Sequence, residues 1–271
     1  MNKKNIFLKI ALIIFTITFI ISLSNILIYV DEEKKIDDQL NKINEDVIIN
    51  DIGEDSNIEV VNADNNIPTS NPYWDYIKMN LIDVDFNNLK NTNNDVKGWI
   101  QVNGTNINYP FVQTDNNDYY LKHSFNKSYN SAGWIFLDYR NDLSSFNDKN
   151  TIIYGHGRLD KTMFGSLKNS LTNGWLNNSN NYVIKLSTEY ENTLWQVFSI
   201  YHIPTTSDYI RTNFSSDEDF INFISMLVNR SAFNFNTLIN ENDRILTLST
   251  CYNDQEKMVL HAKLIKYEKK I

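Results

Sequence analysis

The sequence predicts a mostly β protein, a barrel or a sandwich, behind one N-terminal membrane-spanning helix. Three observations support this fold class. Residues 10–30 form an almost unbroken apolar run. From about residue 96 onward, short β-branched or aromatic segments alternate with turn residues, as in all-β domains. One amphipathic segment, residues 216–230, interrupts these strands.

Composition narrows the class of protein. The chain has 271 residues, 42% of them hydrophobic, and its 15 Tyr and 15 Phe can fill a sizeable core. Its formal net charge is −8, and no basic stripe is visible. Nucleic-acid binding therefore has no electrostatic support.

The N-terminus predicts a signal anchor. A helix over residues 10–30 would be about 30 Å long, the thickness of a bilayer core. A cleaved signal peptide is shorter in its apolar part, and no A-x-A-like site follows the run. A buried core helix is rarely apolar on every side. Lys3, Lys4 and Lys9 precede the run, so residues 1–9 are expected in the cytoplasm and the remainder outside the single-pass membrane anchor.

Residues 31–70 are interpreted as a juxtamembrane helix followed by a linker. Within 31–49, apolar residues recur at helical spacing. They are Ile36, Leu40, Ile43 and Val47. Residues 50–70 are polar and irregular. The globular domain is predicted to cover 71–271, beginning with one or two short helices in which Phe86 and Leu89 point inward.

The strands follow from residue 96. Asn103-Gly104 lies between two alternating segments and predicts a hairpin. Six further strand segments are "AGWIFLDYR", "NTIIYGHG", "NNYVIKLST", "NTLWQVFSIYHI", "RILTLSTC" and "KMVLHAKLIKYE". In the inserted helix, Ser216 is the expected N-cap and acidic residues occupy the first turn.

Cys251 is the single cysteine of the chain, at the end of "RILTLSTC". Outside the cell cysteines usually pair, and this one has no partner within the chain. It is therefore an intermolecular bridge, an inert buried thiol or a reactive thiol. Its place at a strand end, after Thr247, Ser249 and Thr250, favours a reactive thiol.

A reactive thiol needs a base, and imidazole is the usual one. His156 ends the strand "NTIIYGH" and leads the candidates, because two strand ends can meet at one barrel rim. His123, His202 and His261 remain alternatives on periodicity alone.

These residues resemble a known family. "TLSTC" is similar to the signature of sortases, the membrane-anchored cysteine transpeptidases of Gram-positive surfaces. "DVKGWIQVNGTNINYPFVQTDNNDYYLKHSF", "SAGWIFLDYRN", "NTIIYGHGRLDKTMFGSLKN" and "SDYIR" extend the resemblance to class B sortases over roughly residues 71–268. It implies an eight-stranded β-barrel with N-terminal helices beside it and one helix inserted before the cysteine strand.

The resemblance also implies an activity and its partners. Cys251 would attack the Thr carbonyl of a C-terminal sorting motif of the Asn-Pro-x-Thr type in a surface protein. The thioacyl intermediate would be resolved by a cell-wall peptidoglycan amine or, as in some members of the family, by a pilin lysine. His156 would be the general acid and base. The chemistry requires no metal and no cofactor.

The third catalytic residue departs from the family. Sortases place an Arg before the Val/Ile-rich run that follows the cysteine, and Lys257 stands there in this chain. A Lys offers one flexible charge where an Arg offers a rigid fork. Arg211, after "SDYI", is the alternative third residue.

Seven residues match the family's substrate groove. They are Asn117, Leu121, Tyr154, Thr205, Tyr209, Ile210 and Ser249. Leu121, Tyr154 and Ile210 are also compatible with a simple barrel wall. The acid that follows the cysteine in the family is replaced by Tyr252.

Two other functions stay open on the sequence. The Lys257 departure is compatible with a catalytically weak barrel that binds sorting peptides without turnover. A cysteine hydrolase, in which water resolves the thioester, has the same residues. A redox role is disfavoured because the chain has no resolving cysteine.

Overall fold

The computed structural model describes residues 3–53, 57–61, 67–253 and 255–270. The helices are α1 (Lys3–Asp46), α2 (Tyr73–Tyr76), α3 (Asn87–Thr92), α4 (Asn173–Leu176) and α5 (Asp217–Arg230). The first six strands are β1 (Ile48–Ile52), β2 (Ile58–Val60), β3 (Leu81–Asp85), β4 (Val96–Val102), β5 (Asn108–Val112) and β6 (Phe136–Leu137). The other strands are β7 (Asn150–Tyr154), β8 (Val183–Thr188), β9 (Glu191–Pro204), β10 (Ile245–Cys251) and β11 (Glu256–Lys269).

Within these residues, eight strands close into a mixed barrel. Their order is β10-β7-β6-β5-β4-β8-β9-β11, and β11 pairs again with β10. The β10–β7 and β5–β6 pairs are parallel, and the other neighbours in the barrel are antiparallel. The eight-stranded barrel implied by the family resemblance is confirmed.

The β4–β5 hairpin forms where the sequence predicts it. The two strands are antiparallel, with Trp99 opposite Pro110 and Gln101 opposite Asn108. Gly104 has φ +70°, a conformation that a residue with a Cβ rarely adopts. The Asn-Gly signal therefore reports a real backbone requirement of this turn.

The N-terminal helix is longer than predicted. The sequence separates an anchor over 10–30 from a short amphipathic helix over 31–49, whereas α1 is continuous from Lys3 to Asp46. Large apolar side chains up to Val30 are exposed. By length and composition, α1 is apolar enough to cross a membrane.

The second half of α1 packs on the barrel. Ile36 is 0% and Ile43 is 6% exposed, and both belong to the main core. Gln39 donates a hydrogen bond to Ser124 at 3.2 Å. The apolar stripe predicted for residues 31–49 thus faces the barrel.

The segment interpreted as a linker contains two strands. β1 pairs antiparallel with β3, and β2 pairs antiparallel with the end of β11. β3 itself was not predicted, since the sequence favours only short helices around it, and those form as α2 and α3. Phe86 and Leu89 are buried as expected, at 7% and 2% exposure.

Helix α5 covers the barrel beside the cysteine strand. The Ser216 side chain accepts a hydrogen bond from the Asp219 backbone N–H, which confirms the predicted N-cap. The buried face of α5 consists of Phe220, Phe223, Ile224 and Leu227. These residues join Tyr209 and Val259 in a second core cluster. The helix therefore fixes the chain segment that lies between β9 and α5.

Candidate active site

The strand register brings Cys251 and His156 to the same edge of the barrel. β10 and β7 run parallel, with Ser249 opposite Tyr154. Cys251 lies two residues after Ser249, and His156 lies two residues after Tyr154. Because the two strands run in the same direction, Cys251 and His156 occupy equivalent positions, each two residues beyond the Ser249–Tyr154 pair. Both side chains line one cavity.

Gly157 makes this close approach possible. A Cβ at this position would overlap the backbone carbonyl oxygen of Cys251 and lie 3.0 Å from Thr250 Oγ1. The residue after the histidine therefore has to lack a side chain. The sequence "HG" therefore reflects packing against the cysteine strand.

The cavity has a volume of about 300 Å³. Its lining is Asn117, Leu121, Phe136, Tyr154, Gly155, His156, Thr206, Tyr209, Ile210, Ser249, Thr250, Cys251 and Lys257. The lining is mostly apolar and aromatic. It also contains several hydroxyl groups, the Cys251 thiol, the His156 imidazole and the Lys257 amine. Such a cleft suits an extended peptide with a few polar contacts.

The imidazole of His156 is held by the backbone. Its Nε2 lies 2.8 Å from the carbonyl oxygen of Leu121. A carbonyl oxygen only accepts hydrogen bonds, so Nε2 carries a proton in this arrangement. Nδ1 is then the nitrogen that remains available to exchange a proton with a substrate.

Lys257 is the cation that lies beside the thiol. Its Nζ donates a hydrogen bond to Cys251 Sγ at 3.2 Å, and the two residues are register partners across the β10–β11 pair. Arg211 lies elsewhere. Its Nη2 binds Asp219 Oδ2 at 2.6 Å, and its guanidinium stacks 4.7 Å from the centre of the Phe214 ring.

Six of the seven predicted groove residues line the cavity. They are Asn117, Leu121, Tyr154, Tyr209, Ile210 and Ser249. Thr205 is exposed and turned away, because its backbone N–H and its hydroxyl both bind the carbonyl oxygen of Gln255. Its neighbour Thr206 lines the cavity instead.

Two hydroxyl groups form a pair on the cavity wall. Tyr209 Oη and Ser249 Oγ lie 2.9 Å apart. Burial is the main cause that raises the pKa of Tyr209, so its hydroxyl stays protonated and can donate. The pair links the loop before α5 to the cysteine strand.

Sequence reasoning missed several residues of the site. Phe136, Thr206 and Thr250 line the cavity. Within the described part of the chain, the buried Thr250 Oγ1 has no hydrogen-bond partner, so it can bind a polar ligand. Asp138, which lies directly behind the wall, was not singled out either. The short motif "DYRN" was its only signal.

The other histidines lie outside the cavity lining. His261 is fully buried, and burial lowers its pKa to about 3. His202 stacks on Tyr252 with ring centres 4.7 Å apart, and His123 stacks on Tyr119 at 4.0 Å. Of the four imidazoles, His156 alone lines the cavity with the thiol among the residues that the structure describes.

A thiol, an imidazole and a cation around one cleft are typical of cysteine enzymes. The chain belongs to the sortase family, whose "Sortase domain" model matches residues 100–265. It is 38% identical to sortase B of Staphylococcus aureus over 185 residues, 67% of this chain and 75% of that protein.

Solved structures agree with this assignment. The Staphylococcus aureus sortase B–substrate complex superposes with a TM-score of 0.62 at 37% identity, covering 67% of this chain and 84% of that chain. A protein of Bacillus anthracis described as similar to sortase B gives a TM-score of 0.66 at 34% identity, covering 88% of this chain and 97% of that chain. The second match therefore extends beyond residues 100–265, the range that the family model covers.

Proposed function

We propose that this sortase cleaves an Asn-Pro-x-Thr type sorting motif through Cys251 and transfers the acyl group to an amine. The observation that carries the proposal is the shared cavity, in which Cys251, His156 and Lys257 meet with Lys257 Nζ 3.2 Å from Sγ. Sortase B of Staphylococcus aureus has been solved as a substrate complex, which supports a substrate-binding role for this chain.

In the first step, Cys251 Sγ attacks the carbonyl carbon of the motif's Thr. The bond between that carbon and the following nitrogen breaks, and a thioester forms on Sγ. As Sγ attacks, the thiol proton of Cys251 passes to His156 Nδ1. The departing amine then takes this proton from His156. The backbone anchor on Leu121 holds the ring while Nδ1 exchanges the proton.

In the second step, an acceptor amine attacks the thioester carbonyl. The amine loses a proton to His156, the C–S bond breaks, and Cys251 is regenerated. The acceptor is a peptidoglycan amine or a pilin lysine. Resolution by water would give the hydrolase alternative, with the same thioester and a carboxylic acid product.

Lys257 takes the place of the family Arg. Each step passes through a tetrahedral intermediate whose oxygen carries negative charge, and a nearby cation stabilises it. Lys257 Nζ is close enough to Sγ to reach an oxygen on the carbon that Sγ attacks. Arg211 is a poorer choice because Asp219 already neutralises it.

The peptide is expected to lie along the wall between Asn117 and Ile210. That wall offers apolar surface for the Pro and hydroxyl groups for the polar residues of the motif. Thr206 takes the role that the sequence match assigned to Thr205, because Thr206 faces the cleft.

We further propose that residues 10–30 anchor the enzyme in the cell membrane, with residues 1–9 in the cytoplasm and the barrel outside. The exposed apolar half of α1 and the lysines before it support this orientation. The end of α1 then belongs to the extracellular folded unit, since Ile36 and Ile43 are part of its core. In right-side-out vesicles, external protease should remove a C-terminal tag and spare an N-terminal one.

The test is intact-mass analysis of the full chain in detergent with Asn-Pro-x-Thr and Leu-Pro-x-Thr peptides. We expect a mass adduct on Cys251 with the Asn-Pro-x-Thr peptide, released as a ligated product when an amine is added. Cys251→Ala should form no adduct, and His156→Ala should be nearly inactive. His202→Ala is the matched control, an imidazole outside the cleft, and should keep its activity.

The outcomes separate the alternatives. A released carboxylic acid despite excess amine indicates a hydrolase. Peptide binding without an adduct, from a folded enzyme, indicates a weak sorting-peptide binder. Retained turnover in Cys251→Ala contradicts every enzymatic role proposed for this cleft.

A further inference from the structure

Asp138 is a buried carboxylate behind the cavity wall. It directly follows β6 and is 0% exposed. Two cavity-lining residues donate hydrogen bonds to its Oδ2, Tyr154 through its hydroxyl at 2.8 Å and Asn117 through Nδ2 at 3.1 Å. The side chains that line the cleft on this side therefore share one acceptor.

Arg140 joins the same carboxylate to a third part of the wall. Its Nε binds Oδ1 at 2.8 Å and its Nη2 binds Oδ2 at 2.7 Å, a two-point fork. Nη2 also donates to the backbone carbonyl oxygen of Ile210 at 2.9 Å. Ile210 belongs to the loop between β9 and α5, about seventy residues away in sequence.

Asp138 is ionised within this cluster. Burial raises the pKa of its carboxyl, but the hydrogen bonds from Arg140 and Tyr154 outweigh burial and leave the pKa below its usual value. A buried carboxylate is stable only when its partners are present. The cluster thus depends on all of its members together.

We propose that Asp138 and Arg140 are positioning residues that set the spacing of the substrate groove. They hold Asn117, Tyr154 and Ile210 in one arrangement, although these residues come from three separate chain segments. Neither Asp138 nor Arg140 lines the cavity itself. The inference rests on the proposed peptide-transfer function and deepens it, because it concerns how the same groove recognises its peptide.

Positioning and plain stabilisation predict different kinetics. If the cluster only stabilised the fold, its loss would lower the amount of folded enzyme and leave the KM of the folded fraction unchanged. If it sets the groove, the KM for the sorting peptide rises while the chemistry at Cys251 proceeds. The rate of Cys251 alkylation by iodoacetamide measures the reactivity of the thiol independently of peptide binding in the groove.

The first variant is Asp138→Asn in the full chain. The amide keeps only one acceptor oxygen. Its NH2 group must therefore face either the Tyr154 and Asn117 donors or the Arg140 donors, and the charge that holds Arg140 is lost. We expect the KM for the Asn-Pro-x-Thr peptide to rise about tenfold, with kcat and the alkylation rate within about threefold. Asp142→Asn is the matched control, the same change four residues away at an exposed carboxylate that binds Ser144. It should leave KM unchanged.

The second test leaves the buried Asp138 carboxylate unchanged and alters its partners instead. Tyr154→Phe removes only the hydroxyl that binds Asp138, and Arg140→Lys removes the fork. Each should raise KM, and the double variant should raise it by less than the product of the two factors, since both act through one carboxylate. This test decides the proposal even where Asp138→Asn is too unstable to purify.

An unchanged KM in Tyr154→Phe and Arg140→Lys, or effects that multiply independently, would overturn the proposal. Failure of the proposed function looks different, because the parent enzyme would then form no Cys251 adduct with either peptide. An adduct in the parent and an equal KM in Asp138→Asn would keep the function and remove the positioning role.

Discussion

Lys257 Nζ lies 3.2 Å from Cys251 Sγ, across the strand pair in which the two residues are register partners. A Lys side chain thus lies next to the thiol. The register explains why. β10 and β11 are antiparallel, and Cys251 and Lys257 lie opposite each other in their register, so the two side chains are on the same side of the sheet.

This relationship predicts an order of effects. Lys257→Ala should lower kcat/KM for Cys251 acylation on the order of 10²-fold, the cost of losing one well-placed donor to an oxyanion. Arg211→Ala should lower it less, because Arg211 pairs with Asp219 outside the cavity lining. Steady-state kinetics of both variants test the order. A larger loss in Arg211→Ala would assign the third role to Arg211.

Gly157 predicts a steric effect on the same strand ends. Gly157→Ala would push a Cβ into the carbonyl oxygen of Cys251, so the segment that carries His156 would be forced away from the end of β10. We expect a lower melting temperature and a slower acylation rate. Gly174→Ala is the matched control, since a Cβ there has no atom within 4 Å. Equal behaviour of the two variants would show that the strand ends tolerate the added methyl group.

The packing of α1 predicts where the folded unit begins. A fragment of residues 31–271 should melt at a higher temperature than one of residues 71–271, which lacks β1, β2 and the buried half of α1. In the longer fragment, Ile36→Ala should reduce the free energy of unfolding by roughly 2–5 kcal/mol, the usual cost for a buried Ile. Ile48, 56% exposed, provides the control Ile48→Ala. Equal melting temperatures of the two fragments would contradict this boundary.

His261 predicts a dependence of stability on pH. The Thr247 hydroxyl donates to Asn150 at 2.7 Å and so accepts from His261 Nδ1 at 2.9 Å, while Tyr201 Oη lies 2.9 Å from Nε2 and donates to it. The imidazole is therefore neutral in the folded protein. Its pKa is about 3 when folded and near 6.5 when unfolded.

Only the unfolded state binds this proton between those two values. The contribution of His261 is therefore complete above pH 6.5 and is lost as the pH falls toward 3, at about 1.4 kcal/mol per pH unit. Denaturant unfolding of His261→Gln should show a shallower decline over this range than the parent. Thr247→Val should be less stable at every pH but keep the slope. An unchanged slope in His261→Gln would place the acid sensitivity elsewhere.

Local sequence patterns predicted the elements whose signals are local. Asn103-Gly104 marks a turn that needs a positive φ, and Ser216 with its acidic first turn marks the start of α5. Cys251 and His156 were identified because both end apolar strands. In each case the information lies within a few residues of the feature itself.

Contacts between residues that are distant in sequence could not be predicted from local sequence patterns. β1, β2 and β3 carry no strong strand pattern. β1 and β3 form by pairing with each other, and β2 forms on the edge of β11, which gives their backbone groups hydrogen-bond partners. Thr206 lines the cavity and Thr205 does not, because the Thr205 hydroxyl binds the carbonyl oxygen of Gln255.

The sequence by itself determined the class of fold and the long apolar N-terminal helix, and it singled out Cys251 and His156 as the proposed nucleophile and base. Tertiary structure alone decided that Lys257 rather than Arg211 lies beside the thiol, and that Asp138 joins Asn117, Tyr154 and Ile210. The physical reason is the range of the interactions. Periodicity and turn chemistry act between near neighbours, whereas a cross-strand pair or a shared buried carboxylate exists only after the barrel has closed.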